Sequence, residues 1–273
     1  WRIEYKMEKK AKGSLIIIGG AEDKSDKSVI LKEVVNAAGG EDSRIVILST
    51  VTENPSVVGN EYINVFKRIG VKNVEHLNID TREEANNDEN IKKIENSTCV
   101  FFTGGDQLRI TSILGGAKVY NSLKEAYLNG VLIVGTSAGA SVMSNTMIVD
   151  GNNNEPARKC TLKMAPGLGL LEDCIIDQHF DQRGRIGRLL CGVAENPYML
   201  GIGIDEDTAI LVPPDGVFRV IGSNAVTVID GTTIKSSNVS ELKPDEILAI
   251  NNVTLHVLPA GYGYNMKTRT VVR

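Results

Sequence analysis

Five short apolar runs alternate with amphipathic segments through the first half of this 273-residue chain, and this alternation constrains the fold more than any other feature. The runs are SLIII (14–18), RIVILS (44–49), VEHLNI (74–79), CVFF (99–102) and VLIV (131–134). Helices are expected after the first four, around residues 27–38, 57–69, 83–95 and 107–129. Short β-branched runs without alternation are typical of strands buried on both faces of a parallel sheet. The sequence therefore predicts an α/β protein with a mostly parallel, doubly wound sheet flanked by helices.

The second half of the chain has a different character. Residues 150–159, DGNNNEPARK, have the Asn, Gly and Pro content of a loop. Beyond residue 200, the runs TAILV, VFRVIG, AVTVID and VTLHVLP are separated by Gly, Asp and Pro. They predict a C-terminal antiparallel β extension, or edge hairpins, on the same sheet. No linker divides the chain, so we predict an N-terminal extension at residues 1–12 and a single α/β domain over residues 13–273.

The composition argues against several classes of protein. The net charge of −4 gives no support for wholesale binding to nucleic acid or to an anionic membrane, and the apolar runs are far too short to span a bilayer. The four cysteines, Cys99, Cys160, Cys174 and Cys191, show no C-x-x-C spacing, and only three histidines could complete a zinc site. Neither glycine-rich strand end, GGAEDK or TGGDQ, matches a nucleotide-binding fingerprint. We therefore predict a cytoplasmic protein without disulfides, metal or cofactor.

A single serine stands between two glycines where the fifth apolar run ends. In VLIVGTSAGA, Ser137 is flanked by Gly135 and Gly139. The small residues have a packing interpretation, because they let a helix begin close to a sheet. They also match the G-x-S-x-G turn, which exposes a serine at a strand end as a nucleophile. Other residues of the chain are needed to distinguish the packing interpretation from the nucleophile interpretation.

A nucleophilic serine needs a base, and the chain offers three histidines. His76 and His256 lie within apolar, strand-like runs, where a partly buried structural histidine is the better interpretation. His179 lies in IIDQHFDQRGRIGRL, among polar side chains just after a short apolar run. The short apolar run before His179 indicates a strand, so His179 is expected at a strand end near Ser137. His179 is therefore the predicted base.

The base needs a carboxylate to orient it, and the segment GIGIDEDTAILV offers Asp205, Glu206 and Asp207. If this segment is extended, Glu206 points to the face opposite both aspartates, as a single orienting acid would. The alternative interpretation is that all three acids are exposed residues of a turn.

An oxyanion would need two backbone donors. The N–H group of Ala138 directly follows the predicted nucleophile, and a second donor is available in the turn at Gly104-Gly105.

Three arginines lie close behind the predicted base. Arg183, Arg185 and Arg188 are separated by glycines, which is compatible with an ordinary basic turn. Beside a catalytic histidine, three cations oppose its protonation and favour a substrate with carboxylates, which guanidinium groups bind in bidentate fashion. The polar groups of Gln107, Asp177 and Gln178 could bind a cationic part of the same substrate.

Four segments together resemble the cyanophycinase family: FFTGGDQLRI (101–110), GTSAGA (135–140), DQHFDQRGRIGRL (177–189) and GIGIDEDTA (201–209). These enzymes are serine exopeptidases related to peptidase E, the aspartyl dipeptidase, with a fold like that of class I glutamine amidotransferases. The resemblance implies hydrolysis of cyanophycin, multi-L-arginyl-poly-L-aspartate, to β-aspartyl-arginine dipeptides. The polymer or its β-Asp-Arg fragments would be the binding partner, and a homodimer is a candidate assembly.

The resemblance also implies a role for each matching residue. Ser137 would be the nucleophile, His179 the base and Glu206 the orienting acid, with Gly105 and Ala138 supplying the oxyanion N–H groups. The implied substrate-binding residues are Gln107, Asp177, Gln178, Arg183, Arg185 and Arg188.

Two alternative functions are compatible with the sequence. An aspartyl dipeptidase would share the triad but bind a smaller substrate, and the arginine cluster argues against it. A non-catalytic binding protein could keep the same fold, although an intact Ser137, His179 and Glu206 set argues against that. A glutamine amidotransferase would need cysteine where this chain has Ser137.

Overall fold

The computed structural model describes residues 11–25, 27–50, 54–159 and 162–273. The predicted N-terminal extension, except for its last two residues, and Cys160 lie outside these ranges. The strands are β1 (Leu15–Ile18), β2 (Arg44–Ser49), β3 (Asn73–Asn78), β4 (Cys99–Phe102), β5 (Leu132–Thr136), β6 (Thr146–Gly151), β7 (Leu162–Pro166), β8 (Cys174–Gln178), β9 (Leu200–Ile204), β10 (Thr208–Val212), β11 (Val217–Gly222), β12 (Ala225–Asp230), β13 (Ser236–Ser237), β14 (Ile250–Asn251), β15 (Thr254–Pro259), β16 (Gly263–Asn265) and β17 (Thr270–Val272).

The helices are α1 (Val29–Ala38), α2 (Pro55–Ile69), α3 (Asp88–Glu95), α4 (Gln107–Leu114), α5 (Lys118–Asn129), α6 (Ala138–Ser141) and α7 (Ile186–Glu195). Short 3-10 turns lie at Gly40–Asp42, Glu84–Asn86 and Gly231–Thr233. Among the described residues, no helix combines the length and the apolar character needed to cross a bilayer.

The main sheet joins strands from both ends of the chain. Its order is β17-β16-β11-β10-β1-β5-β4-β2-β3 among the described residues. The five strands from the first half pair in parallel, whereas β10, β11, β16 and β17 continue the sheet by antiparallel pairing. The predicted parallel sheet with an antiparallel extension is therefore present, and β2 and β4 have the predicted bounds.

Helices cover both faces of the parallel strands. On one face, Leu31 of α1 and Phe66 of α2 pack with Ile47 of β2 in one buried apolar cluster. On the other face, Leu114 of α4 and Leu123 of α5 belong to a second, larger cluster. Apolar residues of β1, β2, β4 and β5 enter both clusters, which explains why these runs show no polar alternation. The coarse prediction of an α/β protein with a large central sheet is confirmed.

The structure corrects one predicted helix. The expected helix over residues 107–129 is two helices, α4 and α5, which are separated at Gly115-Gly116. Gly116 has a φ of +71°, a conformation that glycine adopts without steric cost. A side chain at Gly115 would press on the carbonyl oxygen of Thr111 at 2.6 Å, so the chain can turn here only without one.

A second correction concerns the C-terminal strands. The runs AVTVID and VTLHVLP, which form β12 and β15, do not join the main sheet as predicted. They form a separate sheet with β8 and β9, in the order β15-β12-β9-β8. Ile202 of β9 and Val226 of β12 pack in the same apolar cluster as Ile210 and Phe218 of the main sheet. An apolar run shows that a strand is half-buried, but it does not show which of two sheets the strand joins.

Loops from both sheets meet at the carboxyl end of β1. The backbone N–H of Ser137 donates to Ile18, that of His179 donates to Gly19 at 2.8 Å, and that of Asp207 donates to Gly20 at 2.9 Å. A side chain at Gly19 would overlap the carbonyl oxygen of Asp205. The close approach of these loops therefore requires glycine at this strand end.

We predict that Gly19→Ala destabilises the protein by about 1–3 kcal/mol, because the added methyl group meets backbone atoms that cannot rotate away. Urea denaturation measures the free energy of unfolding. Gly192→Ala is the matched control: it lies within α7, where its methyl group would meet flexible leucine and isoleucine side chains at 3.1 Å and beyond. Equal stability of the two variants would contradict this account of Gly19.

Candidate active site

Ser137 lies on a strained turn between β5 and α6. Its φ of 55° and ψ of −117° are unusual for a residue with a side chain. Ser137 is partly exposed, whereas Thr136 and Ala138 on either side are buried. A side chain at Gly135 would overlap the carbonyl oxygen of Gly139, so the flanking glycines also allow the helix to begin against the strand. The packing interpretation of this turn is therefore correct, and the same geometry leaves the hydroxyl of Ser137 available as a nucleophile.

His179 follows β8 and faces Ser137. Its Nε2 atom lies 2.9 Å from Ser137 Oγ. The backbone of His179 has a φ of 48°, and its N–H donates to the carbonyl oxygen of Gly19. The imidazole lies against the Cα of Gly20, where any side chain would overlap the ring. The glycine pair after β1 therefore holds both the backbone and the ring of His179 in place.

Glu206 completes a chain of hydrogen bonds. Its Oε1 atom lies 2.7 Å from His179 Nδ1, and its side chain is 35% exposed. A carboxylate at this position favours the tautomer with the proton on Nδ1, which leaves the Nε2 lone pair for the Ser137 hydroxyl. The main-chain N–H of Glu206 donates to Gln182 Oε1 at 2.9 Å, which ties this turn to the loop that follows His179.

The two flanking aspartates have other partners. Asp205 is buried and accepts hydrogen bonds from the backbone N–H groups of Asp181 and Ala225. Asp207 accepts from the backbone N–H of Asp23. The expectation of an extended segment here was wrong, because residues 205–207 form the turn between β9 and β10. The alternative of three exposed turn acids was also wrong, since Asp205 is buried.

Opposing influences set the protonation of His179. Burial lowers the pKa of His179, and the nearby Arg183 and Arg185 guanidinium groups lower it further. The hydrogen bond and the charge of Glu206 raise the pKa, but the balance stays below the usual value for histidine. At neutral pH the imidazole is therefore uncharged, as a group that accepts a proton from serine must be.

The glycine turn after β4 lies beside Ser137. A Cβ atom added to Gly104 would lie 3.4 Å from Ser137 Cβ and 3.7 Å from its Oγ. Gly105 has a φ of 153°, and Ala138 is the first residue of α6. The structure thus brings together the serine and the two residues whose N–H groups were predicted to bind an oxyanion.

A pocket of about 660 Å³ opens beside Ser137 and between the ends of β1, β4 and β5. Its walls include the carboxylates of Glu22, Glu61 and Asp106 and the ammonium group of Lys24. Glu22 is buried and accepts hydrogen bonds from the hydroxyl groups of Tyr62 and Thr136. Glu22 was not predicted as a site residue, although it directly follows the glycines at the end of β1, because an acidic residue after a strand has no distinctive pattern.

The predicted substrate-binding residues fall into two groups. Arg183 is exposed on the turn that follows His179. The other residues have their side chains directed into the protein. Four of them are at most 7% exposed: Asp177, Gln178, Arg185 and Arg188. The side-chain amide of Gln107 donates to main-chain carbonyl oxygens of β6. At Arg188, the two-donor fork is directed at Asp177.

The other two histidines and the three described cysteines have partners or surroundings of their own. His76 Nε2 lies 2.5 Å from Ser49 Oγ, and the His256 ring packs near Tyr264. Cys99, Cys174 and Cys191 are buried, and burial raises the pKa of the Cys99 and Cys174 thiols. Among the described residues, no group of three His, Cys, Asp or Glu side chains could hold a metal ion.

A serine on a strained turn, bonded to a histidine that is bonded to a carboxylate, is the arrangement of a serine hydrolase. Residues 15–220 match Peptidase family S51, and the chain belongs to this family of peptidases. It is 37% identical to the cyanophycinase of Trichormus variabilis over 271 residues, which cover 99% of this chain and 91% of that one. It is 36% identical to the cyanophycinase of Geminocystis herdmanii, with 96% and 97% coverage.

A solved structure supports the fold. A crystal structure of a peptidase from an acI-B1 actinobacterium superposes with a TM-score of 0.66. The match covers 94% of this chain and 98% of the other, and the two sequences are 18% identical. At that identity the likeness concerns the fold alone.

We predict that two substitutions move the acidic limb of the pH profile of kcat/KM in opposite directions. Arg183→Gln removes a cation that disfavours the imidazolium, so the pKa of His179 rises and the limb moves to higher pH. Glu206→Gln removes the charge that favours the imidazolium, so the limb moves to lower pH while the rate falls. Rates measured from pH 4 to 9, about two units either side of a histidine pKa, test both shifts. Limbs that coincide with that of the wild type would show that His179 is not the titrating base.

Proposed function

We propose that this peptidase is a serine exopeptidase that hydrolyses cyanophycin, multi-L-arginyl-poly-L-aspartate, to β-aspartyl-arginine dipeptides. The observation that carries the proposal is the hydrogen-bonded series Ser137–His179–Glu206, with distances of 2.9 and 2.7 Å. It occurs in a chain that aligns over almost its full length with proteins named cyanophycinase. Residues 13–273 form one α/β domain in this proposal, with the doubly wound arrangement of class I glutamine amidotransferases.

The first step forms an acyl-enzyme. His179 Nε2 accepts the proton of Ser137 Oγ as that oxygen attacks the carbonyl carbon of the scissile bond. Glu206 holds the imidazole in the tautomer that can accept this proton and stabilises the imidazolium that results. His179 then donates the proton to the leaving amine, and the carbon–nitrogen bond breaks.

The developing oxyanion and the second step use the same geometry. The N–H groups of Gly105 and Ala138 would donate to the oxyanion, and removal of one such donor typically costs a factor of about 10² to 10³ in kcat. A water molecule then gives a proton to His179 and attacks the acyl carbon. Ser137 leaves with the proton returned, which restores the free enzyme.

The charges around Ser137 suit a substrate with both signs of charge. Each unit of cyanophycin carries a guanidinium group and a free arginine carboxylate. The pocket beside Ser137 has carboxylates at Glu22 and Asp106, which would attract the guanidinium, whereas Glu61 pairs with Lys24 at 3.1 Å. Arg183, exposed on the turn that follows His179, would bind a carboxylate. A cytoplasmic location, a homodimer and the absence of nucleic-acid or membrane partners stay predictions.

The first test of this proposal is incubation with purified cyanophycin and mass analysis of the products. We expect the wild type to release β-aspartyl-arginine and Ser137→Ala to release none, because the variant lacks the attacking oxygen. Ser144→Ala is a suitable control, since that serine is buried and its hydroxyl bonds to the carbonyl oxygens of Ser141 and Thr146. Intact cyanophycin after treatment with the wild type, together with cleavage of β-aspartyl dipeptides, would instead assign an aspartyl dipeptidase.

We further predict that Arg183→Lys raises KM for cyanophycin fragments and largely spares a generic activated ester. Lysine keeps the charge but loses the planar two-donor fork. Loss of a charge-assisted hydrogen bond costs roughly 1.5–3 kcal/mol, or about ten- to a hundredfold in kcat/KM. The control is Arg219→Lys, because Arg219 is an exposed arginine that pairs with Glu33 on α1. An equal loss on both substrates would argue against carboxylate binding by Arg183.

A further inference from the structure

We propose that Asp205 and Asp207, the two aspartates beside Glu206, are positioning residues for the proposed triad. Residues 205–207 form the turn between β9 and β10, and we call them the acid turn. Each aspartate accepts a hydrogen bond from a different loop of the site. The inference rests on the proposed function in one respect, because it takes Glu206 as the acid that orients His179.

Asp205 connects the acid turn to the loop that follows His179. Its Oδ1 atom accepts from the backbone N–H of Asp181 at 3.1 Å, and its Oδ2 atom accepts from that of Ala225 at 3.2 Å. Asp181 comes two residues after His179. Because Asp205 directly precedes Glu206, one residue of the acid turn is bonded to the loop of the base and the next is bonded to its ring.

Both oxygens of Asp205 face backbone donors, and this limits which residue can replace it. Asp205 is 8% exposed, so water has little access to its carboxylate. An asparagine has one oxygen and one NH2 group, so it would place a donor against one of the two N–H groups. A buried donor without an acceptor costs free energy, and the loop would have to move to relieve it. The side chain at this position therefore has to offer two acceptors.

Asp207 connects the acid turn to the segment that follows β1. Its Oδ1 atom accepts from the backbone N–H of Asp23 at 2.8 Å, and its Oδ2 atom accepts from the hydroxyl group of Ser223. The N–H of Asp207 itself donates to the carbonyl oxygen of Gly20 at 2.9 Å. The segment after β1 therefore holds the acid turn by one main-chain bond and one side-chain bond.

Uncommon backbone conformations lie in all three turns of the proposed triad. Ser137, His179 and Asp207 have φ values of 55°, 48° and 47°, and few residues other than glycine have a positive φ. Such conformations persist where the surrounding contacts fix them, and they cluster at catalytic sites. The two bonds to the Asp207 side chain therefore help to fix the backbone immediately after Glu206.

Glu206 depends on the acid turn for its position. Its side chain is 35% exposed, and its Oε1 atom lies 2.7 Å from His179 Nδ1. An exposed glutamate loses rotamer freedom when it is held in one place, so the turn that carries it has to be fixed for this bond to persist. A displacement of a catalytic group by about 1 Å can cost a factor of about 10² in rate. Small movements of the acid turn should therefore lower kcat.

An asparagine substitution tests the bonds of Asp205. We expect Asp205→Asn to lower kcat on cyanophycin fragments by about ten- to a hundredfold with KM changed less than twofold, because a donor then faces a donor and the turn moves. Asp215→Asn is the matched control, since Asp215 lies beyond the other end of β10 and accepts from one backbone N–H. This control should match the wild type.

At Asp207, alanine and asparagine separate bonding from charge. Asp207→Ala removes both acceptors and should lower kcat by about tenfold or more. Asp207→Asn also removes the charge, but it keeps an oxygen for the N–H of Asp23 and can donate to the Ser223 hydroxyl, so it should recover most of the loss. Asp215→Ala is the control for the alanine variant. Equal kcat in the two Asp207 variants would overturn the proposal, as would wild-type kcat in Asp205→Asn.

Labelling with a fluorophosphonate separates a positioning role from a merely structural one. Ser137 Oγ bonds to phosphorus as fluoride leaves, and His179 takes the proton of the hydroxyl group. The extent of labelling counts the molecules that have a competent site, whereas the rate reports on the position of the triad. We expect Asp205→Asn and Asp207→Ala to be labelled completely but slowly. A reduced extent with a wild-type rate would show that the aspartates support only the folded state, and would overturn the proposal.

The labelling also distinguishes this inference from the proposed function. A wild-type protein that reacts with the fluorophosphonate but leaves cyanophycin intact would reject the substrate, while the labelling rates of the variants would still decide the role of the two aspartates. Asp207 is partly exposed, so Asp207→Ala should fold even if Asp205→Asn does not. The comparison of Asp207→Ala with Asp207→Asn then decides the outcome.

Discussion

The geometry of the site depends on Gly19 and Gly20, the two glycines that follow β1. The carbonyl groups of Ile18, Gly19 and Gly20 accept hydrogen bonds from the loops that carry Ser137, His179 and the turn of Glu206. A side chain at either glycine would overlap the His179 ring or the backbone near Asp205, so the loops could not approach so closely. The loops of the proposed triad are therefore held by main-chain bonds at the end of β1, which lies between the parallel and antiparallel halves of the sheet. Main-chain anchors of this kind hold catalytic groups in place before the substrate arrives.

Burial gives the charged groups around Ser137 different roles. His179 is buried enough for its pKa to fall, and Glu206 partly offsets this while staying open to solvent. Asp177 is compensated by two arginines, whereas Glu22 is held by two hydroxyl groups. A carboxylate that has only hydroxyl partners keeps more of its negative potential than one that is paired with cations. In our proposal, Glu22 belongs to the pocket wall that attracts a guanidinium, whereas the charge of Asp177 is balanced by Arg185 and Arg188.

Much of the parallel half of the fold followed from local pattern. The runs at β2 and β4 were located to the residue, because strands buried on both faces have no polar positions to obscure their bounds. The break between α4 and α5 was missed, although Gly115-Gly116 was visible, because glycine within a helical pattern does not by itself end a helix. The second sheet was also missed. Its strands β12 and β15 have the same composition as strands that extend the main sheet, and only packing distinguishes them.

By itself, the sequence determined which side chains could take part in chemistry. Ser137 between glycines, His179 among polar residues and Glu206 in an acidic turn are local features, and the family resemblance added expected roles. Only the tertiary structure decided the partners of the long polar side chains. Arg188 and Arg183 are five residues apart in a basic segment, yet one is buried on Asp177 and the other is exposed. The partner of a flexible guanidinium is set by backbones that fold from distant parts of the chain, here β6 and β8, and no local spacing encodes that contact.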